Sequence, residues 1–154
     1  MTDNAFFCSP LPQRPTFPVA VSDIGLLPEE AERIDAVWDG GRKQAAEVAG
    51  GNPDADLRKS FVIPLRPGEG HDWIFERLST VARQLNRENY GFEVLGIYEP
   101  LQLAEYGEGD YFQWHMDYGP REHSRRKLSL TVQLSEPEAY DGGDLQFMVN
   151  DQTV

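Results

Sequence analysis

A chain of 154 residues that is 40% hydrophobic and carries three Trp, six Tyr and eight Phe has the material for one packed core, which argues against disorder throughout. Its net charge of −12 opposes phosphate backbones, so non-specific nucleic-acid binding is disfavoured. The single cysteine, Cys8, offers no intrachain disulfide, and no apolar run approaches a membrane span or a signal segment; the expectation is a cytoplasmic protein with no membrane partner.

Residues 1–20 hold Pro10, Pro12, Pro15 and Pro18 and few periodic apolar positions, which reads as an extended arm over a single domain. From Pro28 to Trp38 a helix is expected. Proline opens it, Glu29, Glu30 and Glu32 suit its positive end, Ala31, Ile34 and Trp38 share a face, and Gly40 and Gly41 stop it. Phe61, Val62 and Ile63 read as a strand ended by Pro64. A second helix is expected from Asp72 to Arg87, where Ile74, Leu78, Val81, Ala82 and Leu85 recur at helical spacing.

Beyond Phe92 the pattern changes to short β-rich runs: Phe92 to Ile97, Leu101 to Tyr106, Tyr111 to Asp117, Lys127 to Leu134, and Asp144 to Met148. Gly107 to Asp110 and Asp141 to Gly143 separate them as turns. The expected class is α+β, with helices packed on one side of an antiparallel sheet or barrel. Residues 21–91 form the helical support and residues 92–154 the β half.

Alternation along Tyr111 to Asp117 places Tyr111, Gln113, His115 and Asp117 on one face and Phe112, Trp114 and Met116 on the other. His-x-Asp on one face offers an imidazole nitrogen and a carboxylate oxygen to one ion, two of the three groups of a facial triad. Alone, that motif is easily supplied by chance. The next run alternates likewise, with Lys127, Ser129, Thr131 and Gln133 opposed to Leu128, Leu130, Val132 and Leu134. Two such strands could line one wet cavity. Trp38, Trp73 and Trp114 read as core and His71 as surface. The basic cluster of Arg121, Arg125, Arg126 and Lys127 reads as a solvated loop that could also attract an acidic co-substrate.

Three blocks in order, LQLAEYGEGDYFQWHMD at 101–117, RKLSLTVQL at 126–134 and YDGGDL at 140–145, resemble the prolyl-4-hydroxylase-like branch of the iron(II)- and 2-oxoglutarate-dependent oxygenases. The resemblance covers roughly residues 58–148. It implies a double-stranded β-helix (jelly-roll) fold, iron(II) at His115 and Asp117, and 2-oxoglutarate as co-substrate. It further implies that Tyr106 and Gln133 contact 2-oxoglutarate, and that the substrate is a peptide, an amino acid or another small molecule.

The family takes a second histidine, followed by a basic residue, from a later strand. From Leu128 to Val154 there is no His, Lys or Arg. The jelly roll is therefore expected to be incomplete at its C-terminal side, and the chain alone inactive. A truncated product, a barrel completed by another chain and a natural half-barrel would each account for this. His123 is a poor substitute ligand, lying among charged, solvent-seeking residues. Unpaired strand edges invite a homodimer. The alternative to an enzyme is a non-catalytic jelly-roll binding module with a vestigial metal site.

Overall fold

The computed structural model describes residues 18–23, 25–47, 56–119 and 125–153. Most of the N-terminal arm, including Cys8, lies outside the described residues, as do Arg121 and His123.

Helix α1 spans Pro28–Gly40. The Glu30 carboxylate accepts the Leu27 N–H at 2.8 Å, satisfying one amide that the helix start leaves open. Strand β1 (Gln44–Ala45) pairs antiparallel with β3 (Phe61–Leu65), and β3 pairs on its other flank with β4 (Leu101–Glu105). Between β1 and β3 in sequence lies β2 (Arg58–Lys59), which leaves this sheet and pairs with β5 (Tyr111–Phe112). Helix α2 spans Asp72–Asn89 and connects β3 to β4. A short 3₁₀ turn at Pro137–Ala139 and a hairpin of β6 (Met148–Val149) and β7 (Gln152–Thr153) complete the regular elements among the described residues.

The core sits against one face of the β3–β4 pair. Ile63 faces Leu103 and Leu65 faces Leu101 across the ladder. Alternation sends these four side chains the same way, onto Ile34 of α1 and Ile74 and Leu78 of α2. Trp38 and Trp73 pack at the margin of this cluster, and the Arg33 guanidinium lies 3.8 Å from the centre of the Trp73 ring. The opposite face, carrying Gln102 and Ala104, turns towards β2 and β5. Helices and candidate site thus occupy opposite sides of one sheet.

Both helices and the β3 and β4 runs lie where the sequence places them, with differences at the ends. Pro64 does not end β3; it pairs with Gln102. The two-residue β1 reaches only Phe61 and Val62, so at Pro64 the strand has a neighbour on one flank, and the missing N–H can face the vacant one. Helix α1 ends where Gly41 turns extended, at φ −88° and ψ 163°, and the close approach there needs glycine: a Cβ would lie 2.4 Å from Ile63 Cδ1 and 2.7 Å from the Val37 carbonyl oxygen.

The remaining strands need correction. Phe92 to Ile97 is irregular, because Asn86 brackets Phe92: its Nδ2 donates to the Phe92 carbonyl at 2.8 Å and its Oδ1 accepts the Phe92 N–H at 3.0 Å. Gly91, at φ 71°, makes that turn possible. Tyr111 to Asp117 is a strand only at Tyr111 and Phe112, since its partner β2 is itself two residues long. Lys127 to Leu134 pairs with no strand among the described residues, and Asp144 to Met148 contributes only Met148 to β6. A strand without a ladder has no reason to extend.

Sidedness nevertheless survives in 127–134. Leu128, Val132 and Leu134 are half-buried while Lys127, Ser129, Thr131 and Gln133 are exposed, and Val132 and Leu134 pack on the core; Leu130, expected on the same apolar face, is instead exposed. Trp114, expected in the core, is 52% exposed. His71 is a half-buried cap at the start of α2, with Nδ1 buried and lacking a hydrogen-bond partner. No helix among the described residues is long and apolar enough to cross a membrane.

Candidate functional site

The approach to His115 begins in β5. Arg58 and Phe112 are Cα partners across the β2–β5 ladder, and the Gln113 N–H adds one bond to the Leu57 carbonyl at 2.8 Å. After Gln113 the chain bends, and strand alternation lapses. The Phe112 and His115 rings, expected on opposite faces, are stacked with centroids 3.6 Å apart and planes 13° from parallel.

His115 Nδ1 lies 2.8 Å from the Gln113 carbonyl oxygen. A carbonyl only accepts, so in the neutral ring Nδ1 carries the proton and Nε2 keeps its lone pair. That nitrogen lies 3.3 Å from Asp117 Oδ1. Two donors about 2.1 Å from one ion, at right angles, lie roughly 3 Å from each other. The pair therefore fits adjacent positions around a divalent metal, and the backbone carbonyl supplies the outer-shell partner that metal-binding histidines use. Among the described residues no third His, Cys, Asp or Glu joins them.

Asp117 is held by its main chain as well. Arg126 donates from Nη1 to the Asp117 carbonyl oxygen at 2.7 Å and from Nε to Glu99 Oε1 at 2.8 Å, with Nη2 closing on Glu99 Oε2. The hydrogen bonds and charge of Glu99 raise the Arg126 pKa, fixing its positive form. The expectation of a solvated basic loop fails at this residue. Arg125 lies with its guanidinium 5.7 Å from the Tyr98 ring centre.

On the other side of β5, the Gly107-to-Asp110 turn is tied in two ways. The Gly107 N–H donates to Asp110 Oδ2 at 3.0 Å, and the Asp110 N–H donates to the Gly107 carbonyl at 3.0 Å. Lys59 Nζ reaches Asp110 Oδ1 at 2.9 Å. The Lys59 ammonium and the Gly107 N–H together hold the Asp110 carboxyl below its usual range, and Asp110 raises Lys59 in return.

Tyr106 follows β4 on the Gln102 face, half-exposed, with the Arg58 guanidinium 5.7 Å from its ring centre. Gln133 lies elsewhere. With Thr131, Tyr140, Asp144, Leu145, Gln146 and Thr153 it lines an open cleft of about 550 Å³ whose walls include neither His115, Asp117 nor Tyr106. The structure therefore brings His115 and Asp117 together and places Tyr106 by way of Arg58, while Gln133 stands in a separate cleft.

Sequence reasoning passed over Arg58, Phe112 and Glu99 as parts of the site, and it weighed Arg126 only as one of a basic cluster that could attract an acidic co-substrate, not as the residue that holds Asp117. The sequence carries no signal for the first: Arg58 stands in the polar run Arg58-Lys59-Ser60, and its burial follows from the pairing of β2 with β5.

Residues 101–154 match the model of the 2OG-Fe(II) oxygenase superfamily. The chain is similar to a PKHD-type hydroxylase of Xanthomonas campestris pv. campestris (strain B100), at 30% identity over 131 residues, which is 77% of this chain and 53% of that protein. It is also similar to a PKHD-type hydroxylase of Synechococcus sp. (strain CC9902), at 44% identity over 41 residues, covering 27% of this chain and 18% of that protein. The longer match thus spans about half the length of the relative. No solved structure matches the chain.

Proposed function

The chain belongs to the 2OG-Fe(II) oxygenase superfamily, in its prolyl-hydroxylase-like part, and from that premise we propose that it carries part of an iron(II)- and 2-oxoglutarate-dependent hydroxylase site acting on a peptide, amino-acid or small-molecule substrate. In this reading the complete fold is a jelly roll, of which the β3–β4 sheet and the β2–β5 ladder supply one wall.

The observation that carries the reading is the 3.3 Å separation of His115 Nε2 and Asp117 Oδ1, with Nδ1 committed to the Gln113 carbonyl. His115 and Asp117 would hold the metal. Iron(II), when bound, supplies the redox chemistry that couples 2-oxoglutarate decarboxylation to substrate hydroxylation. The remaining work falls to the chain. The Gln113 carbonyl keeps the imidazole in the tautomer that presents a lone pair, and Arg126 holds the Asp117 backbone in place without neutralising its carboxylate directly. The Tyr106 phenol and the Gln133 amide are proposed contacts for 2-oxoglutarate, which requires the Gln133 segment to approach the metal pair.

Two protein donors hold a divalent ion weakly. Anaerobic iron(II) titration should show weak binding that His115→Ala abolishes. Tight binding that is indifferent to His115→Ala would overturn the assignment.

A further inference from the structure

Arg58 is 8% exposed, the only buried arginine among the described residues. A buried charge is expensive unless it is paired. Among the described residues no carboxylate pairs with this one. Its Nε donates to Ser60 Oγ at 3.0 Å and its Nη1 to Gln102 Oε1 at 2.8 Å, both neutral acceptors. The guanidinium carbon lies 4.7 Å from the centre of the Phe112 ring, and that ring stacks on His115 with centroids 3.6 Å apart.

These contacts form one continuous path. Gln102 stands on the face of β4 opposite the core, so the helix-backed sheet anchors one end. Phe112 carries the path across β5, and His115 is the other end. The χ2 torsion of a histidine is broad, so its imidazole plane is loosely set unless a neighbour fixes it. Here a hydrogen bond to Gln113 fixes one edge, and the face rests on a ring that is itself held by a cation.

We propose that Arg58 is a positioning residue for His115: Ser60 and Gln102 hold its guanidinium against Phe112, and Phe112 fixes the imidazole plane so that Nε2 faces Asp117. The proposal rests on His115 being a metal ligand, as read above. It assigns the buried charge a role in orienting the ligand without contact with metal or substrate.

The test has two independent arms. In the metal-free chain, ¹H–¹³C spectra should show the His115 ring protons shifted upfield by stacking, and Phe112→Leu removes that shift. Arg58→Met should remove most of it, and Arg58→Lys, which restores a cation near Phe112, should recover part. In the second arm, cobalt(II) serves as a spectroscopic probe, and Arg58→Met should weaken its binding about tenfold, in the range found for outer-shell changes.

An unchanged His115 ring shift in Arg58→Met, with cobalt(II) binding still abolished by His115→Ala, overturns the positioning role alone. Cobalt(II) binding indifferent to His115→Ala overturns the ligand reading and the proposal with it. If Arg58→Met fails to fold, Gln102→Met, which removes one acceptor and leaves the charge, reads the same coupling. A reduced ring shift supports the proposal and an unchanged one overturns it.

Discussion

Arg126 grips Asp117 by its backbone, donating to the main-chain carbonyl at 2.7 Å while its other nitrogens engage the carboxylate of Glu99. One guanidinium thereby joins the segment before β4 to the bend that carries the candidate metal pair. The aspartate side chain is left to serve another partner.

This clamp predicts a modest stability cost with a local signature. The Arg126 and Glu99 side chains are 29% and 32% exposed, so solvent screens the pair and its contribution is about 1 kcal/mol. Arg126→Met should lower urea stability by that amount and shift the amide resonances near Asp117. A double-mutant cycle with Glu99→Gln should show coupling, and strict additivity would refute the clamp.

Gly41 predicts a steric effect. Alanine there would place its Cβ against Ile63 Cδ1 and, less forgivingly, against the Val37 carbonyl oxygen at 2.7 Å. The side chain can rotate away, but the helix backbone cannot without loss. Gly41→Ala should cost about 1–3 kcal/mol in chemical denaturation, although alanine ordinarily favours helices.

Asn86 predicts a larger effect than its size suggests. It is buried, and both of its polar atoms serve Phe92. Asn86→Ala leaves the Phe92 N–H and carbonyl without those partners and should cost about 2 kcal/mol. Hydrogen exchange should report it first at Phe92, whose N–H donates to the Asn86 side chain.

The Lys59–Asp110 pair predicts a pH window. Asp110 titrates below its usual range because Lys59 and the Gly107 N–H favour its charged form, so its anchoring of the turn is present above the ordinary carboxylate range and lost as pH falls through the lowered value. Lys59 is raised by Asp110, so its share is present below the ordinary lysine range and lost as pH rises through the raised value. The Gly107 amide shift should therefore hold across neutral pH and move at both extremes. In Asp110→Asn both pH-dependent movements should disappear.

The helices were legible because their apolar spacing and flanking residues depend only on nearby sequence, as at Ile74 and Leu78. The β3 and β4 runs were legible as strands from the apolar Phe61-Val62-Ile63 and from Leu101 to Tyr106, but their pairing, and the continuation of β3 through Pro64 to Leu65, rest on contacts across about 40 positions. Phe92 to Ile97 misled because Val94 and Ile97 suggest a strand, while the Asn86 bracket that prevents one depends on a residue six positions earlier. His115 and Asp117 were found as a motif, but their support was not. Arg58 lies 54 positions from Phe112, a separation over which side-chain periodicity carries no information.

The β3–β4 ladder has a consequence for how errors in folding are caught. Leu103 and Gln102 are neighbours on one strand, one greasy and turned to the helices, the other polar and turned to Arg58. A slip of one residue would exchange them, stranding Gln102 in oil and Leu103 beside a guanidinium. The energetic proofreading that selects the correct core therefore also delivers the strut of the candidate site. A chain that has settled its interior has, by the same registration, already set the anchor for His115.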